Sequence, residues 1–235
     1  MTRGFFVTGT DTGVGKTFIA CGLARILRDR GLRVGVMKPV ETGCKWRSNA
    51  LDPSDARLLG LAAGTSQSLS SVCPYRFEAP LAPDLAARQA GRQIDPAVIH
   101  DRFRRVAASH DITVVEGAGG LLVPIWERYM MADLAADLRL PLLVVAASRL
   151  GAVNHTLLTL EHARVRGLSV SAYVLNRLTP ADDEAMSTNA ELLARSTDAP
   201  CAGTVSWTPP GPDHAADAAA AVGRAVLIDD LLGRE

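Results

Sequence analysis

Gly9-Thr10-Asp11-Thr12-Gly13-Val14-Gly15-Lys16-Thr17 follows the apolar run Gly4-Phe5-Phe6-Val7 and opens a helical pattern. A glycine-rich loop between a strand and a helix is a phosphate cradle. Gly13 and Gly15 let the backbone curl so that successive N–H groups point inward at phosphate oxygens. The helix beginning near Lys16 brings the positive end of its dipole to the same spot. Lys16 can reach the terminal phosphates, and the Thr17 hydroxyl suits Mg²⁺. The loop is one residue longer than the general pattern, and Thr10 stands where that pattern has glycine.

Outward from this loop, short apolar runs alternate with longer helical ones. Strands are predicted at Phe5–Thr8, Arg33–Lys38, Ile112–Glu116, Leu142–Ala147, Ser171–Asn176 and Gly203–Ser206. Several are rich in valine and apolar throughout, as strands covered on both faces are. Helices are predicted at Thr17–Arg30, Asp55–Ala63, Pro96–Ser109, Ala132–Leu138, Val153–Arg166, Asp182–Arg195 and Ala215–Leu232. The first places Ile19, Leu23, Ile26 and Leu27 on one face and stops at Gly31; Ser54 is placed to cap the second. Strand–helix alternation predicts an α/β P-loop NTPase-like fold, a mostly parallel central sheet with helices on both faces, and a single domain over 1–235. The stretch Glu41–Pro53 reads as irregular, a candidate mobile loop beside the site.

Composition narrows the function. Acidic and basic residues balance at 25 each, which leaves no electrostatic footprint for nucleic acid or an anionic membrane. Cys21, Cys44, Cys73 and Cys201 are widely spaced with no C-x-x-C pair, against a zinc site or a disulfide framework. No signal-peptide pattern opens the chain, and the apolar run Leu140–Ala147 is too short to span a bilayer. A cytoplasmic protein is expected.

In parallel sheets ligands bind beyond the carboxyl ends of the strands, so strand-end residues carry most weight. Lys38 closes an apolar strand and should bring a second ammonium to the phosphate loop. Thr42 follows it, next to Gly43, where it can hydrogen-bond a substrate. Glu116 ends Val114-Val115 and precedes Gly117-Ala118-Gly119-Gly120, the place where P-loop proteins set the acid that meets Mg²⁺. Asp55 opens a helix and reads as a cap, a dipole partner or a metal group. Asn176 at a strand tip reads as a turn residue or as a reader of a nucleobase edge. Gly151-Ala152-Val153-Asn154-His155 starts a helix whose free N–H groups could hold a carboxylate, or it is a plain N-cap at Asn154; His155, without a partner ligand, reads as structural.

Together these segments resemble the dethiobiotin synthetase family from Phe6 to about Trp207. The blocks that carry the likeness are Val7–Thr17, Lys38-Pro39-Val40-Glu41-Thr42-Gly43, Val115–Gly120 and Gly151–His155, with weaker support from Ser54-Asp55-Ala56 and Cys73-Pro74-Tyr75-Arg76-Phe77. The lengthened phosphate loop is the form this family uses. The resemblance implies an ATP-dependent cyclo-ligase of biotin biosynthesis acting on 7,8-diaminononanoate, CO₂ and ATP with Mg²⁺. It implies an ATP cradle of Thr12, Gly13, Val14, Gly15, Lys16 and Thr17, continued by Glu116, Gly117, Ala118 and Gly119. It further implies a Mg²⁺ set of Thr17, Asp55 and Glu116, and catalytic roles for Lys38 and Lys16. Thr42 and Lys38 would touch the diamine. Asn176, Arg177, Ser206 and Trp207 would lie on the adenine side. Gly151 and Asn154 would form a carboxylate pocket lent by a neighbouring subunit, hence a homodimer with its site near the interface. The chain departs from the family at Asp84, where members often carry histidine, and after Trp207, where little matches.

The rival readings are an amide ligase of the same superfamily, a non-biosynthetic switch ATPase, and a degenerate paralogue that binds nucleotide without ligation. Corrinoid amide ligases usually carry a glutamine-hydrolysing domain, for which this chain has no room. Partitioning-type switch ATPases typically carry a lysine at the position of Asp11.

Overall fold

The computed structural model describes residues 3–181 and 184–233. The first half of the chain forms β1 (Gly4–Gly9), α1 (Lys16–Asp29), β2 (Val34–Met37), β3 (Val40–Glu41), β4 (Lys45–Arg47), β5 (Ala50–Asp52), α2 (Ser54–Ala63), α3 (Leu69–Val72), β6 (Tyr75–Arg76), α4 (Pro83–Gln89) and α5 (Pro96–Ser109). The second half forms β7 (Ile112–Glu116), β8 (Pro124–Trp126), β9 (Tyr129–Met130), α6 (Met131–Leu138), β10 (Leu142–Ala147), α7 (Ala152–Val165), β11 (Val170–Asn176), α8 (Glu184–Ser196), β12 (Cys201–Val205), α9 (His214–Ala225) and α10 (Ile228–Leu232).

Six strands form one sheet in the order β12-β11-β10-β1-β7-β2, parallel throughout. Alternation along β1 supplies both cores. Phe5 and Val7 point to the face covered by α1, α2, α9 and α10, whereas Phe6 points to the face covered by α4 to α8. Burying each phenylalanine fully contributes about 1.5–3 kcal/mol relative to exposure. The fold class is as expected: a parallel α/β sheet with helices on both faces. Because β1 is interior, the phosphate loop emerges at the middle of the carboxyl edge, with β7 and β2 on one side and β10, β11 and β12 on the other. A Cβ on Gly22 would come within 2.6 Å of Val222 and 2.7 Å of the Ala218 carbonyl, so α1 and α9 pack almost backbone to backbone.

Several elements differ from their predicted form. The stretch expected to be irregular is a short antiparallel hairpin, β4–β5, turned by Ser48 and Asn49 with φ of 44° and 64°. Left-handed conformation at both central positions is the turn that matches strand twist. The helix predicted over Ala215–Leu232 breaks between α9 and α10, where Val226 is extended and Leu227 N donates to the Ala202 carbonyl at 3.1 Å. That bond belongs to the edge of β12 and takes the chain off the helical path. The final strand is Cys201–Val205, earlier than predicted. Helix α8 begins at Glu184, and the predicted start at Asp182 lies outside the described residues. The α7 cap is Gly151, with φ of 92°, and not Asn154. Of the cysteines, Cys21, Cys44 and Cys73 are buried and Cys201 is exposed, all as free thiols. Among the described residues, no helix is long and apolar enough to cross a membrane.

Candidate active site

Strand β1 delivers the loop Thr10–Gly15 directly onto α1, whose first residue is Lys16. Gly15 holds φ of 89°, and a Cβ there would lie 2.1 Å from Asn176 Nδ2. Both facts demand glycine. The same Asn176 amide donates to the Val14 carbonyl at 3.0 Å, so the tip of β11 braces the loop from beneath. Lys16 is almost fully buried and folds back on its own loop, its ammonium donating to the Asp11 carbonyl at 2.9 Å. Burial, then the neighbouring Lys38, lower its pKa to about 8, against the pull of Glu116 and Asp55.

Beside it lies a compact polar cluster. Glu116 ends β7 with no exposed side-chain surface, and its Oε1 accepts from Thr17 Oγ1 at 2.8 Å and from Lys38 Nζ at 2.5 Å. Lys38 is 5 % exposed and also meets Asp55 Oδ2 at 3.1 Å. Burial pushes the Lys38 ammonium down, but the charges of Glu116 and Asp55 together with the Glu116 hydrogen bond outweigh it and hold the group protonated well above its usual range. Glu116 Oε2 is buried without a hydrogen-bond partner among the described residues. An orphaned carboxylate oxygen in a cradle of hard oxygen donors fits a divalent cation such as Mg²⁺. Among the described residues no group of three or more His, Cys, Asp or Glu is set to hold a metal by itself.

Asp55 is positioned by a residue sequence reasoning overlooked. Ser54, expected as the α2 cap, is the first helical residue. Glu41 caps the helix from a distance, its Oε1 accepting from Asp55 N at 3.0 Å and its Oε2 from Ala56 N at 3.0 Å. Burial raises the Glu41 carboxyl pKa while those amides oppose it. The one signal in the sequence was an acid directly before Thr42-Gly43, too far from α2 for local capping rules to reach.

A cleft of about 760 Å³ unites most of the expected residues. Its lining includes Thr12, Gly13, Gly15, Lys16 and Thr17 from the phosphate loop and the start of α1, Lys38, Thr42, Glu116, Ala118 and Gly119 from the ends of β2, β3 and β7, and Asp55 from the first turn of α2. The apolar part of the lining is Val40, Pro80 to Pro83 and Val123, and it comes partly from a segment the sequence reading left without a helix. Val14 and Gly117 are buried beneath this surface and do not line it. Asn176 ends β11, Arg177 follows it, and Ser206 and Trp207 follow β12, on the far side of the phosphate loop from Lys38 and Glu116. Gly151 and Asn154 begin α7, are exposed and stand outside the cleft.

A family model described as "AAA domain" matches residues 3–211. The ATP-dependent dethiobiotin synthetase BioD of Anaeromyxobacter dehalogenans strain 2CP-C is 50% identical, over 88% of this chain and 91% of its own. The protein of the same name from Bacillus subtilis strain 168 is 40% identical, over 86% of each chain. Among solved structures, the septum site-determining protein MinD of Pyrococcus horikoshii OT3, complexed with Mg-ADP, is similar with a TM-score of 0.56 at 16% identity, covering 99% of this chain and 95% of its own. A ParA family ATPase from Chlorobium tepidum TLS gives 0.53 at 14% identity, with coverage of 99% and 96%. At such identities the structural likeness speaks for the fold alone. The extent and identity of the sequence matches establish that this chain belongs to the ATP-dependent dethiobiotin synthetase family.

Proposed function

We propose that the chain closes the ureido ring of dethiobiotin from 7,8-diaminononanoate, CO₂ and ATP, as a single domain over 1–235 in the cytoplasm. One observation carries the reading. Lys16, Lys38, Thr17, Asp55 and Glu116 converge in one cleft at the end of the phosphate loop, next to an apolar wall. The charged end matches a triphosphate and a carbamate, and the apolar wall matches an aliphatic chain.

The chemistry needs little more than orientation and charge. An amine of the substrate adds to CO₂ and releases a proton, leaving a carbamate. A carbamate oxygen attacks the γ-phosphorus, the bond to the bridging oxygen breaks and ADP leaves with the electron pair. The second amine then attacks the carbonyl carbon of the mixed anhydride, loses its proton and expels phosphate. Lys16 neutralises the terminal phosphates. Lys38, protonated and held beside Glu116, faces the oxygens between which the phosphoryl group moves. In the structure its ammonium is committed to both carboxylates. With those carboxylates holding a cation, Lys38 would have fewer acceptors and its ammonium could serve the substrate. Mg²⁺, held by Thr17, Asp55 and Glu116, would screen the phosphate charge and stabilise it as it develops.

Asn176, Arg177, Ser206 and Trp207 are assigned to the adenine side, because the sheet order puts them across the loop from the lysines. Gly151 and Asn154 are assigned to binding the substrate carboxylate of a partner subunit. The neighbouring Leu150 and Leu158 are 87% and 61% exposed, an apolar surface suited to a second copy. Sedimentation equilibrium is expected to give twice the monomer mass; a monomer at micromolar concentration would remove that assignment. For the reaction itself, phosphate release from Mg-ATP and bicarbonate should require the diamine. Hydrolysis that ignores the diamine would refute the ligase reading.

A further inference from the structure

One acid beside the cleft is used by none of these steps. Asp84 is the second residue of α4, and its carboxylate is only 14% exposed. Its Oδ2 accepts from Arg88 Nε at 3.0 Å, one turn on, while its Oδ1 accepts from the backbone N–H of Glu127 at 3.2 Å. Glu127 is the first of the two turn residues between β8 and β9, with φ of 50°. Arg88 lies over the Trp126 ring, 4.9 Å from its centroid. These contacts add a polar tie between α4 and the β8–β9 turn, two elements that also pack against each other through Ala86, Ala87 and Ile125 in one apolar core.

Both segments line it. Pro80 to Pro83 lead into α4, and Gly119 and Val123 lead into β8. Each is anchored at its far side. Gly43 N donates to the Ala79 carbonyl at 3.2 Å, and Cys44 N to the Phe77 carbonyl at 2.9 Å, which ties the first wall to the loop after β3. Met131 N donates to the Val123 carbonyl at 3.0 Å and Ala132 N to the Leu121 carbonyl at 2.9 Å, which ties the second wall to α6. With both segments anchored, the Asp84 contacts and the apolar packing of α4 on β8 together hold Pro80 to Pro83 at a fixed distance from Val123. The gap between them is the apolar part of the cleft.

We infer that Asp84 is a positioning residue which, through Glu127 and the Arg88–Trp126 stack, helps set the width of the apolar slot and so selects the aliphatic body of the diamino acid. The choice of ligand rests on the ligase reading above; the latch between the walls does not. The Arg88 ion pair is half exposed and contributes little by itself. The hydrogen bond donated by the Glu127 backbone N–H to the Asp84 carboxylate is the contact that reaches the β8–β9 turn directly. This ranks the variants.

Asp84→Ala is expected to raise KM for the diamine about tenfold and to leave kcat and KM for ATP within about twofold. Asp84→Asn keeps an acceptor for Glu127 N and should hold the diamine KM within about threefold of the parent chain. Trp126→Leu removes the stack without touching Asp84 and should raise the same KM about threefold. The inference is overturned if Asp84→Ala moves both KM values alike, if it moves neither, or if Asp84→Asn is as impaired as Asp84→Ala. Hydrogen exchange read without substrate tests the latch separately. Asp84→Ala should speed exchange of amides in 79–87 and 121–129 and not in β1 or α1. Unchanged protection there removes the latch. A parent chain that ignores the diamine while both walls loosen removes only the ligase reading.

Discussion

Lys38→Ala is expected to lower kcat by about 10²–10³-fold while the affinity for Mg-ATP changes by less than about threefold. The division follows from where the charges sit. Lys16 belongs to the phosphate loop and its ammonium lies among the loop's own carbonyls. Lys38 comes from the neighbouring strand end and touches no part of that loop; its partners are Glu116 and Asp55. Losing it therefore removes charge from the acceptor side of the phosphoryl group and leaves the cradle in place. The loss also relieves the repulsion that helps lower the Lys16 pKa, so the loop lysine is more fully charged in the variant. Both effects favour retained nucleotide binding with failed transfer.

The same substitution strips Glu116 of its cation. Breaking a buried ion pair from one side costs about 3–5 kcal/mol, because the remaining charge stays desolvated. Lys38→Met, which fills the volume without charge, separates lost chemistry from lost stability when melting temperature and single-turnover phosphate release are measured on both variants. Turnover close to that of the parent chain in either one would refute the catalytic assignment of Lys38.

How legible this was in the sequence depends on the range of the forces involved. The central strands were readable because burial on both faces leaves continuous apolar runs, as in Leu142–Ala147. Lys38 and Glu116 were readable because each ends such a run, and parallel strands bring their carboxyl ends to one edge. Their direct contact was not, since β2 and β7 are far apart in sequence and adjacent only through the crossover. The hairpin β4–β5 escaped notice because its three-residue strands carry no pattern and its turn uses Ser48-Asn49 in place of the usual glycine. The Glu41 cap and the Asp84 latch were invisible for a related reason. Each is a side chain bonding to the backbone of a remote segment, and no local propensity records such a bond. The site residues on the phosphate loop were local, and the supports that aim them are tertiary.

Glu116→Gln is expected to weaken the effect of Mg²⁺ on nucleotide binding. In the parent chain two carboxylates, Asp55 and Glu116, face the place where a triphosphate would lie, so ATP without its cation meets repulsion that Mg²⁺ relieves. The amide has nearly the same volume and keeps an oxygen to accept from Thr17 and Lys38, so the cluster stays packed. It removes one negative charge and offers the cation a poorer donor. Metal-free ATP should therefore bind more tightly than to the parent chain, whereas the gain on adding Mg²⁺ should shrink by about 10–100-fold. Glu116→Ala is a harsher version, because the Lys38 ammonium would lose its closest acceptor and keep only the half-exposed Asp55. Calorimetric titration of ATP with and without Mg²⁺ reads both arms in one experiment. An unchanged Mg²⁺ dependence in the glutamine variant would mean that the orphaned oxygen of Glu116 serves something other than a metal, and the cation site would then have to be sought around Asp55 alone.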